Sequence, residues 1–190
     1  LLISMLRLFR QAEAGTEGIR AANLALVNEM AERERAVAAL QLEEQRMKTL
    51  LQLHQMPQPT VQQITDFALE QAVRLTRSTM GYLAFMDEEE KVLTMHSWSK
   101  EAMKECAISD KPLIYPIEKT GLWGEAVRQR QPVITNDYTQ PSPMKKGYPE
   151  GHVPIIRHMN VPIFEGERIV AVAGVGNKQD PYDESDVAQL

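Results

Sequence analysis

An α+β fold with a long N-terminal helix is what three features of this chain predict. One is a hairpin rich in small residues, RHMNVPIFEGERIVAVAGVGNK, from Arg157 to Lys178. Another is the succession of strand-like and helix-like segments from Val61 onward, with periods near 2 and 3.6. The third is a stretch from Ile19 to Met56 that contains no Gly or Pro and carries a sustained apolar repeat.

In the hairpin, Met159 to Phe164 is predicted as one strand, Glu165-Gly166 as the turn, and Arg168 to Val175 as the return strand. Gly166 meets the positive φ that a tight turn asks for. Strict alternation puts Ile169, Ala171, Ala173 and Val175 on one face and Val170, Val172 and Gly174 on the other. Neither face carries a charge, so both are expected to be covered, as in a central strand between two layers. The small residues leave room for a helix or a ligand close to the sheet.

Composition limits the function classes. The chain has 190 residues, 43% of them hydrophobic, which suits one or two globular domains. Residues 1–56 hold seven basic and seven acidic side chains, so the net charge of -5 arises entirely in residues 57–190. An acidic globular part without a basic cluster argues against nucleic acid as partner. Cys106 is the only cysteine, which rules out an intrachain disulfide and fits a reducing, cytoplasmic setting. The chain does not begin with Met, and a fragment or a processed product is expected.

The first nine residues, LLISMLRLF, are apolar but far short of the roughly 20 that span a bilayer. They read either as the cytoplasmic end of a membrane helix or as the start of an amphipathic one. Gly15 and Gly18 then mark an expected bend. Steps of four and three from Ile19 reach Asn23, Leu26, Met30, Arg33, Val37, Leu40, Glu44, Met47, Leu51 and His54, and seven of these eleven positions are apolar. A helix of this length extends roughly 55–60 Å, more than a small domain covers. A parallel two-stranded coiled coil solves that, with Asn23, Arg33 and Glu44 setting register; a helix folded back on its own domain is the alternative. Pro57-Gln58-Pro59 ends the helix and sets the expected boundary between residues 1–56 and 57–190.

Thr60 is placed to cap a helix with apolar positions Val61, Ile64, Ala68, Leu69, Ala72, Val73 and Leu75, ending near Thr79. GYLAFMD and VLTMHSWS form strands around an acidic tip, Asp87 to Glu90, expected to be solvated. A short helix around Glu101 to Cys106, a helix over TGLWGEAVRQRQ starting at Thr120, and a strand PVITND follow. Tyr138 to His152 is rich in Pro and Gly, has no period, and is expected as a long loop, functional or mobile.

Two resemblances enter at this point. ANLALVNEMAERERAVAAL resembles the signalling helices that join modules of bacterial sensor proteins, through Asn23, Leu26, Glu29, Glu32, Arg33, Ala36 and Leu40. From about Val61 to Leu190 the chain resembles a GAF domain, through TGLWGEAV with PVITND, IRHMNVPIFEGERIVAVAGVGNK, and the trailing Tyr182 and Asp186. That resemblance implies an antiparallel sheet of about six strands, flanked by the terminal helices on one side and covering a ligand pocket on the other. It further implies a sensory module of a bacterial signal-transduction protein, a sensor histidine kinase of a two-component system first, and a homodimer whose flanking helices relay ligand state. The fragment itself is expected to be non-enzymatic, with a kinase or a cyclase or phosphodiesterase output domain elsewhere. An empty GAF domain serving only as a dimerisation spacer is the alternative.

Family signatures for particular ligands are incomplete. The Asn-Lys, aromatic, Asp-Glu pattern of phosphodiesterase GAF domains survives as Asn177, Lys178, Tyr182 and Asp186, with Val187 in place of Glu. A structural clasp of Asn177, Lys178 and Asp186 is expected from it. Bilin-binding members carry Cys followed by His, but Cys106 precedes Ala107. Methionine sulfoxide reduction needs a resolving thiol that a single cysteine lacks. His96, His152 and His158 with Cys106 show no zinc-type spacing, so no metal is expected and the cofactor is left open. Candidate ligand-binding residues are Trp98, Cys106, Tyr115, Trp123, Tyr138, Arg157 and His158, an aromatic and polar set suited to a small organic or anionic ligand; Tyr148 belongs to the same cover region. Ordinary core and loop-anchor roles explain these residues equally well. Arg157 is the expected anion contact because its planar fork matches carboxylate and phosphate, with a surface acid such as Glu150 or Glu165 as its alternative partner.

Overall fold

A computed structural model describes residues 2–105, 113–147 and 151–190. Two compact units divide at Gln45/Arg46.

The first unit is helical throughout. Helix α1 runs from Leu2 to His54 without interruption, and Gly15 and Gly18 lie inside it rather than at a bend. Nothing packs near either glycine, so a residue with low helix propensity is carried by its neighbours' hydrogen bonds alone. The repeat positions Ile19, Leu26, Met30, Val37, Leu40, Met47 and Leu51 are all exposed, Leu40 to 72%. Among the described residues, no helix is long and apolar enough to cross a membrane.

The second unit begins inside α1, where Thr49 Oγ1 lies 3.4 Å from Gln71 Oε1. After Pro57 and Pro59, helix α2 (Val61–Leu75) starts at Thr60 with a reciprocal cap. The Thr60 side chain accepts from Gln63 N, and the Gln63 side chain accepts from Thr60 N. Six strands follow: β1 (Met80–Met86), β2 (Val92–Trp98), β3 (Ile114–Pro116), β4 (Val133–Thr135), β5 (His158–Glu165) and β6 (Arg168–Gly176). They form one sheet in the order β3-β2-β1-β6-β5-β4, every neighbouring pair antiparallel. Helix α3 (Lys100–Glu105) follows β2, and α5 (Glu184–Val187) closes the described chain.

The hairpin is present with two corrections. Its turn is Gly166-Glu167, closed by Glu165 opposite Arg168, and Gly166 takes φ +62° at the first turn position. A bulge between Ile163 and Phe164 leaves Val170 unmatched, because Ile163 faces Ala171 whereas Phe164 faces Ile169. The extra residue reverses the alternation. Ile169 therefore packs with Val172 among Ala84, Met86, Leu93, Ile117 and Val127, while Val175 packs on the opposite face with Met159, Val161 and Tyr182.

The acidic tip is not wholly solvated either. Asp87, Glu88 and Glu89 are exposed, but Glu90 Oε1 accepts the Ile169 N–H at 2.8 Å, the backbone group beside the bulge, and its carboxylate pairs with Arg130. Those bonds, Arg130 first, hold the Glu90 carboxyl below its ordinary range.

The TGLWGEAVRQRQ segment is less helical than expected. Only Glu125–Gln129 is α-helix (α4), preceded by 3-10 turns at Ile117–Lys119 and Leu122–Gly124. Thr120 does not start α4 but ends the first 3-10 turn; its buried hydroxyl donates to Ile117 O and accepts from Arg128 Nη1. Arg128 also donates to the carbonyls of Ile117 and Gly121, which replaces the missing helical ladder.

Helix α2 and Tyr182, Val187 and Leu190 near α5 cover one face of the sheet, against β1, β5 and β6. The other face carries the core around Leu93 and Val172 and, beside it, a cavity.

Candidate functional site

The cavity has a volume of about 390 Å³, within the range of small-molecule sites. Its floor is the sheet, contributed by Met80, Tyr82, Met95, His158, Asn160, Gly174 and Gly176. Its walls are Trp98, Tyr115, Trp123 and Tyr138, with Lys119 and Thr120 from the 3-10 region and Lys146, His152, Val153 and Ile155 from the loop.

Period-2 alternation aims the floor residues. Tyr82 pairs with Gly174 across β1 and β6, and Asn160 pairs with Gly174 across β5 and β6, so all three stand on the cavity face. A Cβ on Gly174 would sit 2.1 Å from the Tyr82 ring and 2.6 Å from Asn160 Oδ1. Glycine here is what lets Tyr82 and Asn160 meet above β6. Their contact is a hydrogen bond, Tyr82 Oη donating to Asn160 Oδ1 at 2.8 Å. Asn160 Nδ2 and His158 Nδ1 are 2.7 Å apart. Burial pushes the Tyr82 phenol up and, with Lys145 adding to it, the His158 imidazole down to about 4.

The aromatic walls brace one another. Trp123 meets Tyr82 and Tyr115 edge-on, with ring centroids 5.8 and 5.1 Å away. Tyr138 lies edge-on to His158 at 5.3 Å and carries Lys145 Nζ over its ring at 4.5 Å. The same ammonium donates to the carbonyls of Tyr138 and Gln140, and Tyr138 N donates to Ile156 O, so the described parts of the loop are tied to both ends.

Of the candidate ligand-binding residues, Trp98, Tyr115, Trp123, Tyr138 and His158 come together around the cavity. Cys106 and Tyr148 lie outside the described residues. Arg157 is not among the lining residues: it precedes β5, and its Nη1 donates to Lys178 O at 3.3 Å. Lys178 O is the acceptor recorded for this guanidinium, and of the two acids named as alternative partners Glu150 lies outside the described residues. Tyr82, Asn160 and Lys146 were not singled out from sequence, because only the pairing of β1, β5 and β6 and the loop's return bring them to one place. His152, considered there only for metal, also lines the cavity, its Nδ1 2.7 Å from Val153 O.

The clasp residues sit at the exit of β6. Lys178 Nζ lies 2.6 and 2.8 Å from the two Asp186 oxygens, with side chains only 13% and 7% exposed. Asp186 is thus buried and Lys178 half-buried. Asp186 Oδ2 also accepts from Asp183 N, within the cap that starts α5. Asn177 does separate work: at φ 58°, its side chain accepts from Ile156 N and donates to Pro154 O, pinning the end of the loop.

A GAF domain family model matches residues 58–190, and the chain belongs to that family. It is 59% identical over 162 residues to a methyl sulfide methyltransferase-associated sensor of Methanosarcina acetivorans, a match covering 85% of this chain and 16% of that much longer relative. Among solved structures, the GAF domain of a Coxiella burnetii phosphoenolpyruvate-protein phosphotransferase superposes with a TM-score of 0.66 at 14% identity, covering 80% of this chain and 86% of its own. A free methionine-R-sulfoxide reductase of Neisseria meningitidis, solved with its substrate, gives 0.59 at 12% identity, covering 78% and 80%. Likeness at this level of identity concerns the fold alone.

Proposed function

We propose that this chain is the small-molecule-sensing module of a signal-transduction protein, a sensor histidine kinase first, in which cavity occupancy is relayed through the flanking helices of a parallel homodimer. One observation carries the reading: a braced aromatic cavity of about 390 Å³ stands open on the face of the sheet opposite α2. A domain serving only as a spacer gains nothing from a space that the described residues leave unfilled, since an unfilled cavity forfeits packing. The relative named as a sensor supports the same role. The exposed apolar repeat from Ile19 to Leu51 supports self-association through α1, because burying it removes seven apolar side chains on one stripe, interrupted at Asn23, Arg33 and Glu44, from water.

The test is a thermal-shift screen of nucleotides, amino acids, bilins and haem. A ligand present at about 100 times its Kd stabilises by roughly 2.7 kcal/mol, a shift of several degrees. Gly174→Val, whose side chain enters the space of Tyr82 and Asn160, is expected to abolish that shift. A screen in which no compound separates wild type from this variant points to the spacer.

A further inference from the structure

The cavity floor specifies the polarity of what binds there. His158 is 8% exposed and lines the cavity, and its buried Nε2 has no hydrogen-bond partner among the described residues. The chain Tyr82–Asn160–His158 decides what that nitrogen offers. With Tyr82 Oη donating to Asn160 Oδ1, the amide turns Nδ2 toward His158 Nδ1, and an NH₂ group can only donate. Nδ1 is then the acceptor, and in the neutral imidazole the proton sits on Nε2. Turning the amide end for end would put the proton on Nδ1 and leave the buried Tyr82 hydroxyl proton without an acceptor, opening two unsatisfied groups in place of one. Depression of the His158 pKa keeps the ring neutral at physiological pH.

We propose that the ligand of this cavity is a flat, largely apolar molecule whose buried end carries a hydrogen-bond acceptor, a carbonyl or carboxylate oxygen, that takes the His158 Nε2–H. The inference rests on the cavity being a ligand site, as proposed above. Trp98 and Trp123 supply flat apolar walls. No aspartate or glutamate is among the described lining residues, whereas Lys119 and Lys146 are, so an anionic acceptor meets no like charge. An amine presented to Nε2–H would face donor to donor, and desolvating it there without a partner is costly.

Two measurements on the full chain test this. Long-range proton–nitrogen NMR correlations of the His158 ring should show the proton on Nε2; a ring protonated on Nδ1 overturns the proposal. Calorimetric titration of a matched pair, 2-naphthoate and 2-naphthylmethylamine, should favour the acid by tenfold or more, on the order expected for a buried unpaired donor. His158→Gln, whose amide still donates, should keep that preference, and His158→Leu should weaken the acid by about tenfold. Equal binding of acid and amine to wild type overturns the inferred polarity while leaving the ligand site standing, and needs no variant to fold. If neither compound binds wild type, the inferred ligand class is overturned, while the small-molecule reading itself is decided by the thermal-shift screen.

Discussion

Replacing Lys178 with Met will destabilise the domain by about 3–5 kcal/mol, the cost of leaving the buried Asp186 carboxylate without its cation. Lys178 Nζ touches both Asp186 oxygens, and both side chains are nearly closed to solvent, so water cannot take over the lost contact. Among the described residues the stranded carboxylate keeps only the Asp183 N–H. The double variant Lys178→Met/Asp186→Leu removes both charges and should recover much of the loss, less what the α5 cap contributes. Denaturant melts of the three proteins decide the matter. A loss below about 1 kcal/mol for Lys178→Met would place the pair with ordinary surface salt bridges.

Acid will destabilise the folded domain well before its carboxylates titrate. The His158 imidazole protonates near 6.5 when unfolded but at about 4 when folded, chiefly because burial penalises its charged form. Above pH 6.5 both states are neutral and the group contributes nothing. Between pH 6.5 and 4 the unfolded chain takes up a proton that the folded one refuses, so stability falls as pH falls, by about 3 kcal/mol at pH 4. Glu90, Glu125, Asp137 and Asp183 have lowered values, so their contributions are lost further down. Unfolding free energies from pH 7 to 5 should therefore slope for wild type and be flatter by close to one proton for His158→Gln. Parallel curves would mean that the ring protonates freely in the fold.

Individual strands and helices are legible because they rest on local periodicity and caps. Thr60 with Gln63 is one example, and the uncharged return strand of the hairpin is another. The six-stranded sheet and the division of its faces are legible only through the resemblance to GAF domains. What escaped depends on pairing across the sheet. The bulge at Val170 cannot be read from a run of small apolar residues, since only the register with β5 shows which residue is unmatched. Glu90 looked like the rest of an acidic tip; its partners, Arg130 and the Ile169 N–H, lie 40 and 79 residues away. For the cavity, aromatic content pointed to Trp98, Tyr115, Trp123 and Tyr138. Arg157 has the chemistry for an anion contact, but it precedes β5 and is not among the described lining residues. Tyr82 and Asn160 gave no signal of their own, because each acquires its role by standing over Gly174.

Relay from cavity to helix is tested most directly by the distance between spin labels at Arg35 of the two protomers, measured by pulsed electron resonance with and without a stabilising compound from the screen. Arg35 is exposed on α1, so the label need not disturb packing. A compound can move the helices only if it binds one of their arrangements better than the other. The account predicts a defined inter-protomer distance that shifts when the compound saturates wild type and stays fixed in Gly174→Val. A distribution that is unchanged at full occupancy of wild type, or no inter-protomer distance at all, would contradict it.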